Sequence, residues 1–404
     1  MPSSIFSQIP LAPADPILGL TEAFQADTNP KKVNLGVGVY QDAQGKVPVL
    51  RVVREAERRW YEKEESKTYL PIDGVPAYNK AVAGLLFGND SPLIAAGRVV
   101  TAQALGGTGA LKLGADFLRR FLPEAELWLS RPSWENHRAV FESAGFKVNE
   151  YPYYDPKTNG LDFAAMRASL NQLPARSVVL LHACCHNPTG VDLEPAQWEE
   201  IVQIVKARGL MPFLDFAYQG FGTGIAEDAQ ALLAFQKADI PFLVASSFSK
   251  SFSMYRERVG ALSIIATDGE EARRVQSQLK RVIRTNYSSP SSHGAQVVAL
   301  ILSDPELRAG WESELTEMRE RILRMRSSFV EQLSSKGVTR DFSFINDQRG
   351  MFSYSGISLE HVRRLRSEFG LYIVDSGRVC VAALNEKNLG YVTDSIAQVL
   401  GASA

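Results

Sequence analysis

Two residues with ionisable side chains stand in, or directly after, strongly apolar segments. Asp215 lies in the segment PFLDFAYQGF, where a buried carboxylate needs a cation or a strong hydrogen-bond donor as its partner. Lys250 follows the run PFLVASSFS, and burial lowers the pKa of an amine, which makes it a nucleophile toward carbonyl groups. Taken singly, Asp215 could be a salt-bridged structural residue and Lys250 a lysine that reaches out to solvent. The functional interpretations are a partner for a protonated ring nitrogen and an amine that attacks a carbonyl.

A cluster of small residues, GGTGA at positions 106–110, opens the amphipathic stretch ALKLGADFLRRF. Small residues at the start of a helix leave N–H groups and the positive end of the helix dipole free for a phosphate. The spacing is not that of the dinucleotide-binding GxGxxG pattern, and such a cluster can also be purely structural. The segment therefore indicates either a phosphate site or a tight helix start.

The segment HACCHNPTG raises the question of a metal site. His182, Cys184 and His186 would share one face of a strand, which makes a zinc site one interpretation. The paired Cys-X-X-Cys spacing of structural zinc sites is missing, and buried cysteines commonly behave as small apolar residues. We therefore expect no metal here.

Short apolar runs alternate with amphipathic segments through the middle of the chain. The runs are Glu126–Ser130, Ser177–Cys185, Met211–Phe216, Pro241–Ser247 and Gly260–Ile265. Because they are apolar on both faces, they predict strands of a mostly parallel sheet that is covered by helices on both sides. Between them, Pro195–Arg208 has apolar residues at helical spacing. This alternation predicts an α/β domain.

The C-terminal third changes to an α+β pattern, and 404 residues exceed the size of most single cores, so we expect a second, smaller domain. A long helix is predicted over Leu307–Lys336. The elements predicted after it are a strand, a helix, a strand and a helix: Met351–Tyr354, Leu359–Phe369, Arg378–Ala382 and Tyr391–Leu400. A helix over Asp15–Ala26 could pack with either domain.

Composition excludes several classes of protein. Hydrophobic residues make up 45% of the chain and the formal net charge is −1, which gives no general electrostatic reason to expect nucleic-acid or membrane-surface binding. The apolar stretches are far shorter than the roughly 20 residues of a membrane span. Three cysteines and an N-terminus without signal-peptide features lead us to expect a cytoplasmic protein.

The order of the motifs along the chain is also informative. GGTGA, HNPTG, DFAYQGF, SSFSKSF and RERVGA follow one another in an order that resembles the fold-type-I pyridoxal-phosphate aminotransferases. HNPTG together with the SxxK lysine and Arg258 is the specific part of this resemblance. Further matches are NLGVGVY, TYLPIDG, PSWENH, RTNYSSPSSHGA and SGRVCVA, so the resemblance spans nearly the whole chain. It is strongest toward the aspartate and aromatic aminotransferases.

The resemblance implies a fold and its division into domains. The fold is α/β, with a large domain whose mostly parallel sheet lies between helices and a smaller α+β domain built from both chain ends. The implied division is an N-terminal arm with part of the small domain (residues 1–45), the large cofactor-binding domain (46–310) and the rest of the small domain (311–404).

The resemblance also implies which residues hold pyridoxal 5'-phosphate. Lys250 would form the internal aldimine and move the substrate proton, and Asp215 would pair with the ring nitrogen. The other implied contacts are His137 behind Asp215, Asn187 and Tyr218 on the phenolate oxygen, Trp134 and Ala217 on the ring faces, and Gly107, Thr108, Ser247, Arg258 and Tyr69 on the phosphate. In the family, Tyr69 comes from the neighbouring subunit, which implies a homodimer with shared active sites.

The implied substrate site depends on two arginines. Arg378 matches the arginine that binds the α-carboxylate of the amino acid, and Arg284 the one that reaches across the dimer to a distal carboxylate. Gly38, Asn187 and Trp134 complete the expected contacts. The implied reaction is ping-pong exchange of an amino group between aspartate or aromatic amino acids and 2-oxoglutarate.

Side-chain specificity stays open at the sequence level. Ser289 and Val47 resemble the aromatic enzymes, Val39 and Thr108 the aspartate enzymes, whereas Gln41 and Thr68 match neither. The alternative is therefore a strict aspartate aminotransferase. A decarboxylase, β-lyase or racemase, a non-enzymatic regulator and a zinc enzyme are competing interpretations; the first is disfavoured by the pair Arg284 and Arg378. Arg256 has no explanation.

Overall fold

The strands include one large set and several very short ones. In the computed structural model, which describes residues 4–12 and 17–401, they are β1 (Val33–Asn34), β2 (Val99–Leu105), β3 (Leu127–Arg131), β4 (Val148–Pro152), β5 (Tyr154–Asp155), β6 (Gly160–Leu161), β7 (Val178–His182), β8 (Met211–Phe216), β9 (Phe242–Ser247), β10 (Val259–Ile265), β11 (Phe352–Tyr354), β12 (Leu371–Tyr372) and β13 (Arg378–Cys380).

The helices range from a single turn to one very long helix. They are α1 (Leu18–Ala26), α2 (Arg51–Lys63), α3 (Pro76–Phe87), α4 (Pro92–Ala95), α5 (Gly106–Phe121), α6 (Glu135–Ser143), α7 (Phe163–Leu170), α8 (Pro195–Arg208), α9 (Gln230–Ala238), α10 (Gly269–Asn286), α11 (His293–Ser303), α12 (Pro305–Ser335), α13 (Leu359–Phe369) and α14 (Leu389–Val399). None of those in the described part of the chain combines the length and the apolar character that a membrane crossing requires.

A seven-stranded sheet in the order β2-β10-β9-β8-β7-β3-β4 forms the centre of the molecule. Two clusters of buried apolar side chains lie against it, because its strands are apolar on both faces. The predicted runs all form strands of this sheet, which confirms the α/β fold class. The run predicted to end at Cys185 stops being a strand at His182, because the chain turns there and Cys185 takes a positive φ of 50°.

One strand of the sheet runs against the others. β10 is antiparallel to both β2 and β9, whereas the neighbours from β9 to β4 pair in parallel. The sheet is therefore mostly parallel, as predicted. Parallel strands leave their carboxyl ends at one edge, so the residues that follow β7, β8 and β9 are brought together there.

The two chain ends meet in a smaller α+β region. Val33 and Asn34 of β1 pair in parallel with Leu371 and Tyr372 of β12, and β11 pairs with β13. The long helix predicted in this part is α12, and the elements predicted after it are formed with small differences at their ends. The N-terminal helix begins at Leu18 in the structure; Asp15, where its prediction began, lies outside the described residues.

Candidate active site

A cavity of about 230 Å³ opens at the carboxyl edge of the sheet. Most residues for which the sequence predicted a role in one site lie around it. We call it the Lys250 cavity, and its walls include Gly38, Gly107, Thr108, Trp134, Asn187, Asp215, Ala217, Tyr218, Ser247, Lys250, Arg258 and Arg378. Segments far apart in the chain thus converge on one enclosed space, as binding sites of open α/β sheets do.

Lys250 lies just after β9, and its ammonium group is 5.2 Å from the centre of the Tyr218 ring. Burial lowers the pKa of Lys250 to about 8; Asp215 opposes this shift, and the charges of Arg258 and Arg378 favour it. About a tenth of this amine is therefore neutral at pH 7, far more than for an ordinary lysine, and an amine must be neutral in order to attack a carbonyl.

Asp215, near the end of β8, accepts a hydrogen bond from His137 through its Oδ2 atom, at 2.8 Å. Burial raises the pKa of Asp215, but the hydrogen bond from His137 and favourable electrostatic interactions, including that with the Lys250 ammonium, outweigh it, so the pKa lies below its usual value. Among the hydrogen bonds of the described residues, Oδ1 of Asp215 takes part in none. An ionised carboxylate with a spare oxygen therefore lines the cavity.

A chain of hydrogen bonds fixes the orientation of His137. The Asn187 backbone N–H donates to Nδ1 of His182 at 3.1 Å, so the proton of that ring lies on Nε2. Nε2 of His182 is 3.2 Å from Oγ of Ser133, which is 2.9 Å from Nδ1 of His137. Donation in one direction along this chain leaves the Nε2–H of His137 for Asp215.

One end of the cavity is built to receive an anion. Helix α5 begins at Gly106, directly after β2, so its first N–H groups lie at the cavity. A Cβ atom on Gly107 would lie 3.0 Å from Cβ of Ser247, which explains why a small residue stands there. Arg258 donates to Oγ of Ser249 at 3.2 Å and to the Tyr255 carbonyl at 3.0 Å. Hydroxyl, guanidinium and N–H donors therefore collect at this end.

Arg378 of β13 is almost fully buried and lines the same cavity. It donates to Oδ1 of Asn187 at 3.1 Å and to the Gly36 carbonyl at 2.7 Å. Its guanidinium carbon lies 4.2 Å from the centre of the Phe352 ring, and its nearest carboxylate, Glu135, is 3.9 Å away. A buried guanidinium with mostly neutral partners suits a carboxylate ligand.

Two predicted site residues are not brought to the cavity of their own chain. Tyr69 is 94% exposed. Arg284, near the end of α10, is exposed and donates to Ser288. Among the positions considered for specificity, Thr108 lines the Lys250 cavity, whereas Val39 and Gln41 line a different one.

The zinc interpretation requires ring nitrogens that are already used. Both nitrogens of His182 are engaged by Ser133 and the Asn187 N–H, and those of His186 by Ser130 and Thr189 at 2.9 and 2.8 Å. The three side chains do not assemble. Cys184 instead lies with Cys185 and Asp228, whose ligand atoms are within 4.8 Å of one another.

That second group borders a larger cavity of about 460 Å³, which Cys184, Asp192, Asp228 and Arg349 help to line and which we call the Asp228 cavity. Asp228 accepts backbone hydrogen bonds from residues 220, 222, 223 and 224. Asp192 accepts the N–H groups of Cys185 and His186. Asp192 and Asp228 therefore both cap loops by accepting backbone N–H groups. This role accounts for their burial without a ligand.

Sequence reasoning missed five residues that line the Lys250 cavity: Ile17, Leu111, Ser249, Tyr255 and Phe352. Ser249 lies inside a recognised motif, SSFSKSF, and Tyr255 directly precedes another, RERVGA, so their neighbourhood was a usable signal. Phe352 gave no such signal, because an apolar residue in a short strand is usually part of a hydrophobic core.

Comparisons with known proteins agree with this geometry. The chain matches the family described as aminotransferase class I and II over residues 30–396. It is 60% identical to an aspartate aminotransferase of Pseudomonas aeruginosa, over 98% of this chain and all of that one. It is 51% identical to the aromatic-amino-acid aminotransferase of Escherichia coli, with the same coverage.

A solved structure is similar throughout. It is an aromatic-amino-acid aminotransferase from Burkholderia pseudomallei covalently bound to pyridoxal phosphate, with a TM-score of 0.96 and 62% identity, and the match covers 98% of this chain and all of that one. A family match over most of the chain and relatives of this identity lead to one conclusion. The protein belongs to the class I and II aminotransferases.

Proposed function

We propose that this protein exchanges amino groups between aspartate or aromatic amino acids and 2-oxoglutarate, with pyridoxal 5'-phosphate attached to Lys250. The observation that carries the proposal is the meeting of Lys250, Asp215 and Arg378 around one cavity. An amine of lowered pKa, an ionised acid and a buried guanidinium are what a carbonyl cofactor with a basic ring nitrogen and a carboxylate substrate require.

The residues of the cavity fit the cofactor on structural grounds. The start of α5 at Gly107 and Thr108, with Ser247 and Arg258, offers N–H, hydroxyl and guanidinium donors for a phosphate. The free Oδ1 of Asp215 can accept a hydrogen bond from a ring nitrogen. Once bound, the cofactor supplies an electron-accepting ring that makes loss of the substrate Cα proton easier.

Each remaining residue is assigned a task in this proposal. Lys250 holds the cofactor and, when displaced by the amino acid, takes the Cα proton on its Nζ atom. His137 keeps Asp215 ionised by donating to it. The expected contacts to the ring and its phenolate oxygen come from Trp134, Ala217, Asn187 and Tyr218.

Arg378 is proposed to bind the substrate α-carboxylate, next to Gly38, Asn187 and Trp134. Arg378 lies on β13 in the C-terminal part, whereas Lys250 follows β9 of the large sheet. A substrate bound to both would therefore pull the two parts together and exclude water, which strengthens electrostatic interactions inside.

A homodimer with shared sites is also part of the proposal. Tyr69 and Arg284 are exposed in the single chain although the resemblance assigns them to the phosphate and to a distal carboxylate. Ile5, Phe6 and Leu11 near the N-terminus are exposed apolar residues, which a second copy could cover. A cytoplasmic location is proposed because the three cysteines are buried free thiols.

We propose that the domain division lies near residues 45 and 310. The pairing of β1 with β12 supports a small domain made from both chain ends. Helix α12 runs without a break from Pro305 to Ser335, so the second boundary falls inside a continuous helix.

Dual specificity is favoured because relatives of both names are similar to the chain at 51–60% identity. Ser289 and Val47 favour aromatic substrates, and Arg284 favours dicarboxylates. A phenylalanine ring would leave the Arg284 guanidinium without a partner, so we expect Arg284 to move aside when such a substrate binds. The alternative remains a strict aspartate aminotransferase.

A single-turnover experiment tests the proposal. The cofactor-loaded protein is mixed with aspartate or with phenylalanine, without an oxo acid, and loss of the cofactor absorbance band is followed. We expect both amino acids to convert the band, and Arg284→Ala to slow aspartate while sparing phenylalanine. Conversion by aspartate alone establishes the strict enzyme, and conversion by neither contradicts the proposal.

A further inference from the structure

Arg326 of α12 is a buried arginine without a carboxylate partner. Only 1% of it is exposed, and all its hydrogen bonds go to one short segment, residues 345–353. It donates to the carbonyls of Ile345 (3.2 Å), Gly350 (2.7 Å) and Phe352 (3.2 Å), and to the hydroxyl of Ser353. The ion pairs among the described residues do not include it.

Such an arrangement is costly for the fold. Burial lowers the pKa of Arg326 to about 10, which still leaves the side chain charged at neutral pH. Apolar residues of similar volume often replace buried charges without loss of stability, so stability alone is a weak reason for this arginine. What the planar guanidinium provides is a fixed fork of donors that holds several carbonyls at once.

The segment that Arg326 holds carries Phe352 into the Lys250 cavity. The ring of Phe352 lies 4.2 Å from the Arg378 guanidinium carbon and 6.1 Å, edge to face, from Tyr218. A Cβ atom on Gly38 would lie 2.6 Å from Cζ of this ring. Phe352 is therefore packed between the substrate arginine, a residue next to Lys250, and the N-terminal segment.

The same segment also contacts the HNPTG motif. The N–H of Arg349 donates to the Gly190 carbonyl at 2.6 Å, and a Cβ atom on Gly190 would lie 2.9 Å from the Phe352 carbonyl. The HNPTG motif and Arg326 thus both hold the segment. The position of the Phe352 ring depends on both.

We propose that Arg326 is a positioning residue for the substrate-carboxylate site: it fixes Phe352, which holds the Arg378 guanidinium face-on. This inference depends on the proposed role of Arg378. When Phe352 is less well held, the guanidinium can rotate away from the geometry set by Asn187 and Gly36. Carboxylate binding weakens, whereas cofactor attachment is unchanged, because Arg326 has no hydrogen bond to a residue that holds the cofactor.

The test compares Arg326→Lys with the control Arg340→Lys in the cofactor-loaded protein. Lysine keeps the charge but cannot reach all four acceptors. Arg340 also donates to two backbone carbonyls, of Ser355 and Gly356, outside the cavity. The binding probe is succinate, an unreactive dicarboxylate, whose Kd is read from the change in cofactor absorbance; KM and kcat for aspartate are measured beside it.

For Arg326→Lys we expect the Kd of succinate and the KM of aspartate to rise about tenfold, with kcat within about threefold of the parent, because binding geometry is lost rather than the chemical step. Arg340→Lys is expected to leave all three unchanged. An unchanged Kd in Arg326→Lys overturns the inference.

A double-mutant comparison tests the route through Phe352. Phe352→Leu should raise the Kd of succinate, and Arg326→Lys added to it should raise it little further. Additive effects would contradict the route. Should Arg326→Lys fail to fold, Ser353→Ala removes one acceptor alone and is expected to raise the Kd about twofold; no rise then contradicts the inference. An inactive parent protein would instead contradict the proposed function.

Discussion

Asp215 and Asp228 are both carboxylates enclosed by protein, yet each has a different kind of partner. The described hydrogen bonds of the Asp215 carboxylate come from one side chain, His137, and leave Oδ1 unused in the Lys250 cavity. Asp228 uses both oxygens to accept four backbone N–H groups. The pKa of Asp215 lies below its usual value, whereas burial raises that of Asp228 despite those bonds.

The difference shows how a site that acts on a ligand can be told from one that holds a loop. Around Asp215, cations and an unused acceptor face a common space, so binding a ligand would satisfy groups that the protein leaves open. Around Asp228, the polar groups satisfy one another, although its cavity is the larger of the two. Cavity size therefore does not identify the active site. Charged groups and an acceptor that lack protein partners and face one cavity do.

The largest effect should come from Lys250→Ala, which removes the reactive amine of the Lys250 cavity. We expect transamination to fall by at least about 10⁴-fold, because the group that moves the Cα proton is lost. Cofactor binding through the anion-binding end of the cavity should persist. Turnover with aspartate, measured beside cofactor content after dialysis, checks this; activity within tenfold of the parent would remove Lys250 from its central role.

Matched substitutions of the two acids should separate chemistry from stability. Asp215→Asn should lower turnover about 10³-fold with little change in unfolding, because the charge opposite the ring nitrogen is lost. Asp228→Asn should lower the free energy of unfolding by about 2–4 kcal/mol, because two backbone N–H groups lose their acceptor, while turnover at low temperature stays near that of the parent. Urea unfolding and steady-state rates measure both; equal loss of activity in the two variants would break the comparison.

The smallest expected effect is on the pH dependence of cofactor attachment. Since the pKa of Lys250 is lowered to about 8, its neutral form is present above that pH and falls about tenfold per unit below it. The rate of pyridoxal-phosphate attachment to cofactor-free protein should rise with pH through about 8 and then level off. Asp215→Asn should move this midpoint down, because the carboxylate favours the charged amine, and Asp228→Asn should not move it. A midpoint near 10.5 in the parent would contradict the burial of Lys250.

The sequence was sufficient for the sheet, whereas the centre of the candidate site was predicted only through the resemblance that the motifs carry together. A charged residue in a run that is apolar on both faces is costly, so Asp215 and Lys250 stood out before any contact was known. The direction of β10 was beyond such reasoning, because a fully buried strand has the same composition whether its neighbours are parallel or antiparallel.

Other features depend on contacts that the sequence does not display. Phe352 and Arg326 look like a core residue and a charged residue of a long helix, and their link appears only when the 345–353 segment is seen between them. The turn at Cys185 ended a run that looked like a longer strand. Tyr69 and Arg284 were assigned through resemblance alone, and one chain by itself brings neither of them to its cavity.

The central claim is that Lys250 binds the cofactor covalently. The protein loaded with pyridoxal phosphate is reduced with borohydride, digested, and its peptides are weighed by mass spectrometry. The account predicts one phosphopyridoxyl group, on the peptide that contains Lys250, and none after prior conversion by excess aspartate. A group on another lysine, or no stable modification of the parent protein, would contradict it.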